Sequence, residues 1–100
     1  MANKVTVVAH VHAKPGNEGE VKQALLALVA LTRREQGCLN YDLHQSTADP
    51  AHFLFYENWA SKADLDRHAQ SAHIQAFRAQ AADLLAQPAD IQLWEMVNQP

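Results

Sequence analysis

Residues 38 to 59 read CLNYDLHQSTADPAHFLFYENW, and the fold turns on how this stretch is read. Leu39, Tyr41 and Leu43 alternate with Cys38, Asn40, Asp42 and His44 up to an Ala48-Asp49-Pro50 turn, which is the period of a strand with two faces. His52 to Trp59 then carries four aromatic residues and reads as the partner strand, joined through the short loop as a hairpin. By the same alternation Glu57 shares a face with Phe55 and Trp59, while Leu54 and Tyr56 face the other way.

On the N-terminal side of this hairpin, Lys4 to Ala13 (KVTVVAHVHA) predicts a strand with Val5, Val7, Ala9 and Val11 on one face and Thr6, Val8, His10 and His12 on the other. Pro15-Gly16 makes a turn, and Asn17 with Glu20 has the spacing of a capping box. Val21, Leu25, Leu28 and Leu31 then form one helical stripe, predicted to end near Glu35 with Gly37 as a left-handed cap. On the C-terminal side, Ser61 with Asp64 opens a short helical turn. Ser71 caps a longer helix carrying Ile74, Phe77, Ala81 and Leu84, which Pro88 terminates. Ile91 to Val97 completes the set as a strand, and the end at Asn98-Gln99-Pro100 is expected to fray. The order β-α-β-β-α-β predicts an α+β domain over residues 1–100. It is the ferredoxin-like split arrangement, a four-stranded antiparallel sheet with helices on one face.

A chain of 100 residues has room for one core, and that core is thin: 48% of the residues are apolar, but eighteen of these are alanine. Large residues fall on both sheet faces, with Leu54, Tyr56, Trp94 and Met96 opposing Phe53, Phe55, Trp59, Ile91 and Leu93. Helices cover only one face, so the uncovered faces of two subunits are expected to pack as a homodimer. A single cysteine excludes a disulfide framework and a thiolate zinc cluster, and points to the cytoplasm. The longest apolar run, Ala24 to Leu31, is too short for a membrane span, and no basic segment precedes an apolar one at the start. Eight basic against eleven acidic residues, with no basic cluster, make nucleic acid an unexpected partner.

No Gly-rich phosphate loop, Cys-x-x-Cys, Gly-x-Ser-x-Gly or His-Glu-x-x-His motif occurs. What stands out is six histidines among apolar residues, since imidazole is the side chain suited to proton transfer near neutral pH. His10 and His12 share a strand face and could present two ligands to a metal, but no local spacing supplies a third; a solvated pair is the simpler reading. His44 and His52 flank the hairpin loop and read as surface residues. His68 and His73 flank the break between the two helical pieces of the second α unit, where side chains can turn inward. The bland alternative is that His68 complements a helix C-terminus and His73 sits at the surface. Glu57, inside an aromatic strand, is either a paired partner-facing carboxylate or a group that orients a histidine or a substrate hydroxyl. The aromatics Phe55, Tyr56, Trp59 and Trp94 read first as core or interface, and Cys38 as a small buried side chain.

The stretch YENWASKADLDRHAQSAHIQAF, residues 56 to 77, resembles the characteristic segment of the antibiotic biosynthesis monooxygenase domain family, and its small quinol-monooxygenase-like members in particular. The resemblance rests on Glu57-x-Trp59, Ser61, Leu65, His68, Ser71, His73 and Phe77. It extends more loosely to Lys14-Pro15-Gly16 and Gly37-Cys38-Leu39-x-Tyr41. It implies a dimeric α+β barrel and oxidation of an aromatic quinol or phenol by dioxygen without flavin, haem or metal. Carried over, His68 and Glu57 become the catalytic pair, with Asn40, Phe55, Tyr56, Trp59 and His73 around the substrate. Related haem-degrading members resemble one another in a strand-one asparagine and a tryptophan near the place of His68. This chain has Ala9 or His10 and an imidazole there, which disfavours haem degradation. Isomerisation of a small hydroxy-carbonyl metabolite and a non-catalytic dimeric binding module are the alternatives. A dry cavity of several hundred Å³ lined by His68 would favour catalysis or binding; one filled by Trp59, Phe77 and Leu84 would favour a structural role.

Overall fold

Val7, Ala9 and Val11 are buried while Val8 and His10 between them are only partly so, and this alternation builds strand β1 (Val5–His12) in the computed structural model, which describes residues 4–99. It is followed by α1 (Glu18–Thr32), β2 (Cys38–Gln45), β3 (His52–Trp59), α2 (Lys62–Ala69), α3 (Ala72–Leu84) and β4 (Asp90–Trp94). The strands make one antiparallel sheet in the order β2-β3-β1-β4, so the two most apolar strands lie in the middle. This is the ferredoxin-like arrangement with the second α unit split in two. The helices bury Val21, Leu25 and Leu28 against Val7, Phe53, Phe55 and Trp59. No helix is long and apolar enough to cross a membrane.

Local chemistry explains the joints. The Ser61 hydroxyl accepts from the Asp64 amide at 3.1 Å and the Ser71 hydroxyl from the Ile74 amide at 3.4 Å, so both expected serine caps form. The capping box at Asn17 does not: its side chain bonds Glu20 Oε1 at 3.2 Å, and no side-chain cap reaches the α1 amides. α1 also stops at Thr32 rather than near Glu35. Arg34 and Glu35 amides bond three residues back, tightening the exit until Gly37, at φ +83°, reverses the chain. A Cβ at Gly37 would overlap Asp64, so α2 packs directly on this turn.

Two strand readings are corrected. A bulge between Cys38 and Asn40 advances the alternation by one residue, so Cys38 packs against the core with Tyr41 while Leu39 is exposed. β4 ends at Trp94 instead of Val97. Trp94 pairs with Thr6, so continuing the pairing would outrun the start of β1, and Val97 is 96% exposed.

The open face of the sheet is more polar than expected. Thr6 Oγ1 donates to Asn58 Oδ1 at 2.6 Å, and Asn58 Nδ2 donates to Asn40 Oδ1 at 2.9 Å, a ladder across three strands. Tyr56 and Trp94 add apolar area to it, and each is about half exposed.

Candidate active site

Between the sheet and the helices lies a cavity of about 370 Å³. Its walls are mostly hydrocarbon: Phe55 and Tyr41, stacked at 4.5 Å, from the sheet, Leu25 and Leu28 from α1, and Ile74 and Phe77 from α3. Phe77 lines the space without filling it, and Trp59 and Leu84 are buried outside it. The polar groups that enter are few, and His68 and Glu57 are the central ones.

His68 is brought there by the last turn of α2 and is only 7% exposed. Its ring sits 4.6 Å from the Trp59 ring and meets Tyr41 edge-on at 5.5 Å. Nδ1 lies 2.7 Å from Glu35 Oε2, and the same oxygen lies 2.8 Å from His73 Nε2. An oxygen accepting from both rings puts the hydrogen of a neutral His68 on Nδ1 and leaves Nε2 as a free acceptor. Burial, followed by the repulsion of His73 and Arg78, pulls the imidazole below its ordinary pKa against the opposing pull of Glu35. The lowered pKa favours the neutral imidazole, the form a proton acceptor needs.

Glu57 is 4% exposed, and its Oε1 accepts from Trp59 Nε1 at 2.9 Å. Burial pushes its pKa up to about 7, with Trp59 pulling down and Glu35 adding to the rise. Near neutrality this carboxyl thus exists in both forms, as donor or acceptor. Tyr41, directly across from Glu57 in the strand pairing, is held neutral by burial and then by the negative charge of Glu57. The Cys38 thiol is also raised, first by burial and then by Glu35 and Glu57, as expected of a packing residue. Among the described residues the Thr32 hydroxyl is the single fully buried side-chain polar atom without a partner. His68 Nε2 and the second Glu57 oxygen bond no protein group among the described residues, and both residues line the cavity.

Of the residues expected around a substrate, His68, Glu57 and Phe55 line the cavity. Trp59 stands behind it as the donor to Glu57, and His73 as the second partner of Glu35. Asn40 and Tyr56 are not brought there. Strand alternation puts Tyr56 on the open face at 42% exposure, and Asn40 is committed to the Asn58 ladder and to the Tyr56 carbonyl. His10, His12 and His52 gather on that open face too, His10 Nδ1 lying 3.0 Å from His52 Nε2 and His12 stacking on His52 at 4.2 Å. His44 is exposed. The residue the sequence reading missed is Glu35, which looks like a polar residue in the last turn of α1. The signal that could have found it is Gly37, whose reversal turns the preceding segment back toward the helices.

Glu35, His68 and His73 each offer a ligand atom within 4.8 Å of the others, the one such trio among the described residues. The two histidine-to-carboxylate separations are hydrogen-bond lengths, and the trio is satisfied as it stands.

The family model described as antibiotic biosynthesis monooxygenase matches residues 4–80. The chain is 35% identical over 88 residues to "Putative monooxygenase Rv0793" of Mycobacterium tuberculosis, covering 88% of this chain and 86% of that one. It is 29% identical over 94 residues to the uncharacterised protein sll1783 of Synechocystis. That match covers 94% of this chain, which spans 64% of the relative's length. The crystal structure of PA3566 from Pseudomonas aeruginosa superposes with a TM-score of 0.92 at 36% identity, covering 98% of each chain.

Proposed function

Because the chain belongs to the antibiotic biosynthesis monooxygenase family, we propose that it transfers an oxygen atom from dioxygen to an aromatic quinol or phenol held in the His68 cavity, with no resident cofactor. The observation that carries this reading is the pairing of an apolar space of about 370 Å³ with a buried imidazole whose Nδ1 is held by Glu35. His68 Nε2 takes the proton of a ring hydroxyl, and Glu35 stabilises the imidazolium that results. Glu57, still protonated in part at neutral pH, donates to the ring oxygen or orients it. The resulting phenolate is electron-rich, and the hydrocarbon walls keep water from it.

For a hydroquinone the electrons balance within the substrate. Two leave as the ring becomes a quinone and two more as a ring C–H becomes C–OH. One oxygen atom enters the ring and the other leaves as water, so no external reductant is needed. The same acid and base would serve isomerisation of a small hydroxy-carbonyl compound, but the aromatic and aliphatic lining suits a planar ring better.

The functional unit in this reading is a homodimer of single-domain subunits joined through the open sheet face, where Tyr56 and Trp94 supply apolar area. The test is aerobic assay of metal-free protein on a panel of hydroquinones, following oxygen uptake and quinone absorbance. Rates above spontaneous oxidation support the reading, and no excess for any member removes it.

A further inference from the structure

We propose that the cavity selects aromatic hydroxy compounds bearing an anionic substituent, a carboxylate in the simplest case, and that Arg78 is the residue that binds it. The inference rests on the reading above for the hydroxyl end of the substrate and adds a specificity determinant at the other end.

Arg78 is the sole lysine or arginine among the residues lining the cavity. It projects from α3, and its Nη1 donates to the Ala69 carbonyl at 3.2 Å. Ala69 follows His68 and ends α2, so this bond ties the guanidinium to the end of the helix that carries His68, and both residues line the cavity. Arg33 and Arg67 each pair with an aspartate at 3.0 and 2.8 Å. Arg78 makes no ion pair among the described residues, in a chain whose formal charge is -3. One of its five donors is used by Ala69, and the others are available in a planar fork that matches a carboxylate. Because the side chain is exposed, it meets an incoming anion at the rim without a buried charge having been left unpaired.

The two ends of such a substrate are then fixed by different chemistry. The hydroxyl reaches His68 and Glu57 within the cavity, and the carboxylate stays with Arg78. The same positive charge favours the phenolate formed when His68 takes the proton. A neutral quinol has the first anchor and lacks the second, so it enters with its ring unaligned.

The test is calorimetric binding, without oxygen, of 2,5-dihydroxyphenylacetate and its carboxamide to the wild type, Arg78→Gln and Arg78→Lys. The wild type should bind the acid on the order of tenfold tighter than the amide, and less so at high salt. Arg78→Gln should abolish this preference, the acid losing more affinity than the amide, and Arg78→Lys should keep part of it. Equal affinities in the wild type, an acid preference that survives Arg78→Gln, or binding of neither ligand would overturn the inference. The readout is independent of turnover: an acid preference that Arg78→Gln abolishes stands whether or not the aerobic hydroquinone panel shows oxidation, and that panel alone decides the monooxygenase reading.

Discussion

Glu35 Oε2 lies 2.7 Å from His68 Nδ1, joining the exit of the first helix to the last turn of the second across 33 positions of sequence. A carboxylate behind an imidazole fixes which nitrogen carries the hydrogen and stabilises the charge that appears when the other takes a proton. Here the carboxylate is itself held by His73 at 2.8 Å.

Glu35→Gln keeps the shape and removes the charge. In any substrate that the wild type turns over, kcat should fall roughly tenfold to a hundredfold with KM little changed, and Glu35→Asp should recover part of the loss. Nitrogen-15 NMR of His68 should report the Nδ1–H tautomer in the wild type and a mixture in Glu35→Gln. A single unchanged tautomer in the variant would contradict the positioning role.

Glu57 makes stability depend on pH with a definite sign. Its folded pKa, about 7, stands above the ordinary 4.5, so burial favours the protonated form. Its contribution is full below about 4.5 and is lost as pH rises through 7. Glu57→Gln should therefore gain stability relative to the wild type across that window, by about 3 kcal/mol at most, and level off above it. His68 acts in the opposite sense: its folded pKa is lowered, so its contribution is present above the ordinary histidine value and is lost as pH falls through the lowered one. Denaturant titrations of the variant and wild type at several pH values separate the two. A stability difference that does not change with pH would contradict the buried state of Glu57.

Gly37 sits at φ +83° against Asp64. Gly37→Ala should cost about 2 kcal/mol or more, from left-handed backbone strain together with the displaced Asp64, and should lower Tm. Because the turn that carries Glu35 reverses here, the variant should also weaken ligand binding in the cavity. Unchanged Tm would contradict the packing of α2 on this turn.

Tyr56 lies on the open face of the sheet, and His68, on α2, lies on the helix-covered side. Tyr56→Lys should shift a dimer toward monomer in light scattering at micromolar concentration and leave the affinity of cavity ligands within about twofold. A wild type that scatters as a monomer would contradict the dimer, and loss of cavity binding in the variant would contradict the placement of Tyr56 outside it.

The strands and their faces were legible because alternation is a local signal. Phe53, Phe55, Glu57 and Trp59 all turn inward as their spacing requires, and the two serine caps declare themselves by residue type. The bulge at Leu39 was not legible, since an inserted residue leaves no compositional mark; it puts Cys38 and Leu39 out of the phase that Tyr41 and Leu43 keep. The length of β4 depended on where its partner strand begins, which is a property of register. His68 and Glu57 could be singled out as an imidazole and a carboxylate in apolar surroundings. Glu35 carries only the indirect mark of Gly37 two residues on, because its role arises when a tightened helix exit and two histidines from other helices meet. Asn40 and Tyr56 were placed around the substrate by the family resemblance, and the sheet separates them from the cavity.

The most direct test of the central claim is oxidation of a turned-over quinol under oxygen-18 gas, with mass spectrometry of the organic product for the wild type and His68→Ala. The account predicts one labelled oxygen atom per product molecule, formed on the order of a hundredfold more slowly by the variant. Unlabelled quinone accompanied by labelled hydrogen peroxide, or equal rates for the two proteins, would contradict it.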